Sequence, residues 1–156
     1  CASARAGGTG RVGSGYGEPQ WVAREQEKMR EVQQPWGVGL VMFTVAKQFE
    51  LLHLALEYRP AVVALSFGDV RPFVRPIHQA NAKVIVQVHD VDQALDALEA
   101  GADALIVQGA VAGSHSLRRA SLPLFPAVRD AVGDDVLLIG PGGIAGGRCM
   151  AAELSL

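Results

Sequence analysis

The chain has 156 residues, of which 49% are hydrophobic and 19% are charged, and its formal net charge at pH 7 is −2. This length and composition predict a single globular domain over residues 1–156. The nearly balanced charge, without a run of lysine or arginine, argues against nucleic-acid binding. We expect neither a membrane span nor a signal peptide, because no apolar run is long enough.

The two cysteines, Cys1 and Cys149, lie near opposite ends of the sequence and do not form a C-x-x-C pair. They are expected to be free thiols in a reducing compartment, which predicts a cytoplasmic location. The sequence contains no H-x-x-x-H pair and no cysteine–histidine cluster. We therefore predict that the protein binds no metal.

Short apolar strands alternate with amphipathic helices along the chain. The predicted strands are residues 9–13, 37–42, 62–66, 84–88, 104–107 and 136–139. The predicted helices are residues 19–32, 47–58, 72–80, 91–100, 124–132 and 148–156. The spacing of the strands fits βα units and not hairpins, which indicates an α/β fold with a parallel sheet.

The helix predicted over residues 91–100 carries the clearest signals. Asp90 is a favourable N-cap residue, and Gly101 is a favourable stop. The apolar residues with helical spacing are Val91, Ala94, Leu95 and Leu98. We expect this face to pack against the sheet.

Polar or glycine-rich segments follow four of the predicted strands, where parallel α/β proteins place their binding and catalytic groups. These segments are residues 66–69, 87–90, 108–115 and 140–143. A doubly wound sheet concentrates its site at one crevice, whereas a (β/α)8 barrel uses most of its strand ends. The sequence therefore favours a TIM barrel, and an incomplete one, because about six of the eight βα units are present.

The segment after the fifth strand carries a histidine between glycines. Gly109 and Gly113 allow positive φ and let a flat ligand approach the backbone closely. His115 in the same segment can act as a base near neutral pH. A surface loop that only happens to contain a histidine is the alternative interpretation.

The sixth strand ends in a second glycine-rich turn, Gly140-Pro-Gly-Gly143. Consecutive glycines between a strand and a helix expose backbone N–H groups beside the positive end of the helix, which suits a phosphate. No Gly-Lys-Ser/Thr sequence follows, so the turn is not a P-loop. Together with the histidine segment one βα unit earlier, it favours a cofactor that carries a phosphate.

Five segments, taken together and in this order, resemble the nitronate monooxygenases, formerly called 2-nitropropane dioxygenases. They are residues 6–10, 65–69, 84–88, 101–115 and 142–148. The resemblance implies an FMN-dependent (β/α)8 barrel that oxidises alkyl nitronates with O2 to a carbonyl compound and nitrite. It also implies that the first and last strands of the barrel are missing from residues 1–156. The oligomeric state stays open.

The resemblance also assigns roles to particular residues. His115 matches the active-site histidine, which acts as a base or orients the substrate. The positions implied to bind the cofactor FMN are Gln87, Gln108, Gly109, Gly113, Ser114, Gly142 and Gly143. The two glutamines would face the flavin ring, and the last two glycines would donate to the phosphate. Neutral amide groups can bond the polar edge of a flavin without adding charge.

The sequence departs from the family pattern in its histidine segment, where Val111, Ser114 and Ser116 stand in place of a glutamate and two glycines. One alternative function is that of enoyl-acyl-carrier-protein reductase II, a related FMN barrel that would reduce an acyl thioester with NAD(P)H. A second alternative is a truncated copy without catalytic activity. Nitrite release, NADH consumption and flavin absorbance separate these three possibilities.

Overall fold

The computed structural model describes residues 8–14, 17–110 and 119–156, which contain six strands and seven helices. The strands are β1 Gly10–Gly13, β2 Trp36–Val41, β3 Val62–Ser66, β4 Lys83–Val88, β5 Ala104–Val107 and β6 Leu137–Ile139. The helices are α1 Pro19–Glu27, α2 Met42–Val45, α3 Glu50–Glu57, α4 Arg71–Gln79, α5 Val91–Glu99, α6 Ser121–Val132 and α7 Gly147–Glu153. Across the described ranges, none of these helices has the length and apolar character needed to span a membrane.

The strands form a sheet in the order β1-β2-β3-β4-β5-β6. The pairs β1–β2, β2–β3 and β5–β6 are parallel. Each strand lies within one residue of its predicted position at either end. The predicted parallel sheet with strands in chain order is therefore confirmed.

The chain divides into two compact units, Cys1–Ile85 and Val86–Leu156. The prediction of one domain over residues 1–156 stays a prediction. In the first unit, apolar side chains of β2 and β3 share one face of the sheet in matched register, Val38 beside Val63 and Leu40 beside Leu65. All four are at most 1% exposed. Burial of these side chains holds the two strand ends in a fixed register.

The second unit is built around β5, whose Leu105 and Val107 are at most 1% exposed. Helix α6 contributes the fully buried Leu124 and Val128, and it packs against both β5 and α5. The buried residues of α5 are the small Ala94 and Ala97. Small side chains at this spacing let a helix lie close to its neighbours.

The predicted apolar face of α5 is corrected by this packing. Leu95, which the sequence places on the buried face, is 46% exposed. Ala97 is buried in its place, because the contact stripe follows the spacing of Ala94 and Ala97 and lies to one side of Leu95. The predicted N-cap and stop are confirmed: the Asp90 side chain accepts from the Gln93 N–H, and Gly101 has a φ of 99°.

Three helices are shorter than predicted by two residues or more, and one of them, α7, ends at Glu153 and not at residue 156. The helix expected over residues 19–32 ends at Glu27, and the backbone then tightens, with Met29 N–H donating to Gln26 O at 2.8 Å and Val32 N–H to Met29 O at 3.0 Å. These i→i−3 bonds satisfy the last carbonyls without continuing the helix. The helix expected over residues 47–58 begins at Glu50, and the short helix α2 precedes it.

Candidate active site

The structure brings the two predicted glutamines together. Gln87 lies near the carboxyl end of β4, and Gln108 directly follows β5. The Gln87 Nε2 amide donates a hydrogen bond to Gln108 Oε1. Gln108 is only 7% exposed, so that the pair forms a partly buried, neutral polar surface where two strands end.

A histidine not assigned to the site by the sequence lies beside this pair. His89 Nδ1 is 3.2 Å from the main-chain carbonyl oxygen of Gln108, and the residue is 6% exposed. Its backbone N–H donates to Gln93 Oε1 at 3.0 Å, while the Gln93 N–H donates to Asp90 Oδ1 at 2.8 Å. The start of α5 therefore fixes the backbone that carries the His89 ring.

Gly109 has a packing role beside the predicted one. The sequence allows a positive φ at this glycine, but it is not among the described residues with positive φ. A Cβ atom at Gly109 would lie 2.5 Å from the backbone N and 2.6 Å from Cα of Ser121. The glycine therefore allows the first turn of α6 to pack directly against the end of β5.

The two residues that flank the segment with the predicted histidine are hydrogen-bonded to each other. Ala110 N–H donates to the carbonyl oxygen of Arg119 at 2.8 Å. Both ends of the segment are thus held together two residues beyond Gln108. Gly113, Ser114 and His115 themselves lie outside the described residues.

The glycines after β6 adopt the conformation for which glycine is suited. Gly142 and Gly143 have φ values of 88° and 74°. In the part of the chain that the structure describes, no atom beyond the chain neighbours lies within 4 Å of the position of a Cβ on Gly143. The turn is separated from α7 by three residues, since the helix begins at Gly147 with Gly146 as its N-cap. The register Ile106–Ile139 places the end of β6 beside the end of β5.

The polar segment after β3 forms hydrogen bonds with the first residue of helix α4. The Asp69 carboxylate accepts from both the backbone N–H and the Nε of Arg71, at 3.1 and 2.8 Å. The hydrogen bond from the Arg71 side chain lowers the pKa of the Asp69 carboxyl, and the backbone bond adds to this effect. Asp69 therefore orders the entry to α4.

The remaining histidines of the described ranges are surface residues. His53 on α3 and His78 on α4 are exposed, and the His53 ring lies edge-on to Phe49, with 5.3 Å between the ring centroids. Among residues 8–14, 17–110 and 119–156, no three histidine, cysteine or acidic side chains are grouped as a metal site.

Sequence reasoning identifies the two glutamines but not the residues that hold them. Asp90 is predicted as an N-cap, whereas nothing in that prediction connects Gln93 and the ring of His89 to the site. From the sequence, His89 is noted only as a strand-end residue beside Gln87. A glutamine three residues after an N-cap aspartate resembles a capping box, and this pattern is the signal that could have linked His89 to the start of the helix.

Comparison with known proteins places the chain in a family. The family model "Nitronate monooxygenase" matches residues 38–156. The chain is 30% identical over 155 residues to the (3aS,4S,5R,7aS)-5-hydroxy-7a-methyl-1-oxo-octahydro-1H-indene-4-carboxyl-CoA dehydrogenase of Mycobacterium tuberculosis, and the match covers 98% of this chain and 43% of that protein.

Two solved structures match nearly the whole chain. FabK from Thermotoga maritima has a TM-score of 0.90 at 30% identity, over 99% of this chain and 49% of FabK. The nitroalkane oxidase from Streptomyces ansochromogenes has a TM-score of 0.83 at 26% identity, over 99% of this chain and 56% of that chain. The chain thus spans about half the length of the relatives it matches.

These likenesses agree with the parallel sheet of six strands and its intervening helices. They confirm the predicted α/β class, an incomplete (β/α)8 barrel with six βα units. The family model covers more than half of the chain, including β3 to β6 and the paired glutamines. The chain belongs to the nitronate monooxygenase family of oxidoreductases.

Proposed function

We propose that this chain forms part of an FMN-dependent nitronate monooxygenase, which oxidises alkyl nitronates with O2 to a carbonyl compound and nitrite. The observation that carries the proposal is the hydrogen-bonded pair Gln87–Gln108 at the ends of β4 and β5. The proposal is also supported by the family match, because the matched residues 38–156 include both glutamines. Carboxyl ends of neighbouring parallel strands are the usual binding edge of a (β/α)8 barrel.

The residues at this edge fit a flavin. The two amide side chains offer both donors and acceptors and carry no charge, as the polar edge of a flavin ring requires. Gly142 and Gly143, with positive φ and an open approach at Gly143, can direct backbone N–H groups at a phosphate. When bound, FMN would supply the redox chemistry, accepting electrons from the substrate and passing them to O2.

The histidine segment would complete the site. We propose that His115 removes the Cα proton of a neutral nitroalkane, or orients a nitronate that is already ionised. Gly109, Gly113 and Ser114 would line the flavin with their backbone. The hydrogen bond between Ala110 and Arg119 supports this role, since it ties both ends of the segment close to Gln108.

A second candidate function is oxidoreduction of an acyl thioester, as in an enoyl-acyl-carrier-protein reductase II. The observation that favours it is the name of the Mycobacterium tuberculosis relative, a dehydrogenase of a carboxyl-CoA compound. The paired amides do not discriminate between the two substrates, because both reactions would use the same flavin.

The experiment that separates the candidates is a paired assay on the full protein loaded with FMN. Nitrite release from an alkyl nitronate under air is measured beside NADH consumption with a crotonyl thioester. Flavin-dependent nitrite release without NADH consumption supports the proposal. NADH consumption alone would replace it with the thioester function, and a protein that binds no flavin would indicate a copy without catalytic activity.

A further inference from the structure

Three consecutive residues, the last two of β4 and the residue that follows the strand, form hydrogen bonds with Gln108. Gln87 Nε2 donates to its side-chain Oε1. Val88 O accepts from its backbone N–H at 2.8 Å. His89 Nδ1 contacts its main-chain carbonyl oxygen at 3.2 Å. The side chain, the N–H and the C=O of the nearly buried Gln108 are thus each bonded by β4 or by the residue that directly follows it.

The contact with His89 fixes the position of a proton. A carbonyl oxygen can only accept a hydrogen bond, so that the bond requires a hydrogen on Nδ1. The neutral ring then carries its lone pair on Nε2. The environment of Gln108 therefore selects one of the two neutral tautomers of His89.

The position of the His89 ring is set by the start of α5. Gln93, the third residue of the helix, accepts from the backbone N–H of His89 at 3.0 Å, while its own N–H donates to Asp90 Oδ1 at 2.8 Å. In an ordinary capping box the side chain of the third helical residue bonds back to the N-cap residue. Here it reaches one residue further, to His89, and joins the helix start to the ring.

We propose that His89 is a positioning residue: its Nδ1–H holds the main-chain carbonyl of Gln108, and so keeps the Gln108 side chain where it accepts from Gln87. This inference rests on the proposed function only in so far as the Gln87–Gln108 pair is the flavin edge of the site. The bond network itself does not depend on which substrate is oxidised.

A merely structural role for His89 gives a different expectation. A ring that only fills space would tolerate leucine, with no effect on the amide pair. A ring that acts through Nδ1–H would tolerate asparagine better, because the amide nitrogen of asparagine is bonded to Cγ, as Nδ1 of histidine is. The variants His89→Leu and His89→Asn therefore separate packing from donation.

The test combines NMR of the flavin-free full protein with FMN titration. In the wild type, the ring nitrogen shifts of His89 should show the Nδ1–H tautomer. The side-chain NH2 resonances of Gln87, identified from their loss in Gln87→Glu, should move in His89→Leu and stay near their wild-type positions in His89→Asn. FMN affinity should fall about tenfold in His89→Leu and much less in His89→Asn, as the loss of one hydrogen bond implies.

The Nε2–H tautomer in the wild type would overturn the inference, as would unchanged Gln87 resonances in a folded His89→Leu protein. If His89→Leu does not fold, the tautomer and the His89→Asn spectrum still decide the matter. A wild type that binds no FMN, but shows the Nδ1–H tautomer and the expected amide shifts, would refute the proposed function and leave this inference standing.

Discussion

The amide of Gln87 donates to the amide oxygen of Gln108, so that two neutral side chains from the ends of adjacent segments constrain each other. This bond orients one donor and one acceptor, and an amide side chain carries more donors and acceptors than one bond uses. A preorganised amide pair suits a flat ligand with alternating donors and acceptors better than a charged pair, because it needs no counter-ion.

Replacement of Gln108 by leucine should weaken FMN binding about tenfold. Leucine removes the bond to Gln87 and also the amide group that would form hydrogen bonds with the flavin. The affinity is measured by fluorescence titration of FMN with the full protein. The matched control is Gln79→Leu, which removes an exposed glutamine at the end of α4. Equal losses in both variants would show that the amide pair has no specific role.

A glycine in the turn after β6 and a second glycine at the end of α6 allow a separate test. Gly143 and Gly133 both have positive φ, 74° and 81°. Apart from chain neighbours, no atom of the described residues lies within 4 Å of the point that an added Cβ would occupy at either position. Substitution of either by alanine should cost about 1–2 kcal/mol of stability through backbone strain. Only Gly143→Ala should also weaken binding of FMN, while riboflavin, which lacks the phosphate, should bind both variants alike.

Equal FMN affinities of Gly143→Ala and Gly133→Ala, measured where both proteins are folded, would contradict a phosphate site at this turn. A loss of riboflavin binding in Gly143→Ala would instead indicate that the substitution disturbs the site as a whole. Urea unfolding of both variants gives the stability to which the binding data are referred.

The fold is accessible from the sequence because burial leaves a strong pattern. Runs such as residues 62–65 and Ala104–Val107 are apolar on both faces, as a parallel sheet covered by helices requires. Strand ends then follow from the first polar residue, and Gln108 is recognised in this way. The pattern does not specify which atoms meet, so that the bonds of Gln108 to Gln87 and His89 emerge only from the three-dimensional structure.

Where the sequence is a poor guide, the reason is close packing between elements, which a single sequence does not show. The sequence favours burial of Leu95 because leucine is more apolar than alanine, but close packing selects Ala94 and Ala97. The sequence likewise identifies Gly109 as a glycine that admits a flat ligand, but it does not reveal that Ser121 lies against this residue. A single sequence gives the type of a residue and not the reason for its size.

The close approach at Gly109 makes a direct prediction. A Cβ there would meet backbone atoms of Ser121, which cannot rotate away, so that Gly109→Ala should destabilise the protein by about 1–3 kcal/mol. The control is Gly146→Ala, since the position has a φ of −165° and, beyond its chain neighbours, none of the described atoms lies within 4 Å of the added carbon. Urea unfolding midpoints check both, and an unchanged midpoint in Gly109→Ala would contradict the packing assigned to it.

The proposed base is tested by two substrates that differ in one proton. In the full protein, His115→Ala should lower turnover of a neutral nitroalkane about 10²-fold or more, the usual contribution of a positioned base. A nitronate ionised beforehand needs no proton removed and should be affected less. The matched control is His78→Ala, an exposed histidine on α4, and equal losses on both substrates would make His115 an orienting group.

The apolar exposure of the second unit leads to the last prediction. Leu137 on β6 is 63% exposed and Leu154 is 83% exposed, and α7 has no buried residue. An exposed apolar strand at the end of a sheet tends to associate with other chains. Residues 1–156 expressed alone should therefore be poorly soluble or free of flavin, as judged by gel filtration and absorbance of the bound flavin.

A longer version that adds a strand at each end of the sheet should recover a yellow protein, because the added strands would cover the edges and supply further contacts to the phosphate. In the short chain, Leu137→Lys should raise solubility without restoring flavin, since it removes apolar surface but adds no part of the site. A soluble 156-residue monomer with stoichiometric FMN would contradict this expectation and show that the six strands suffice for a complete flavin site.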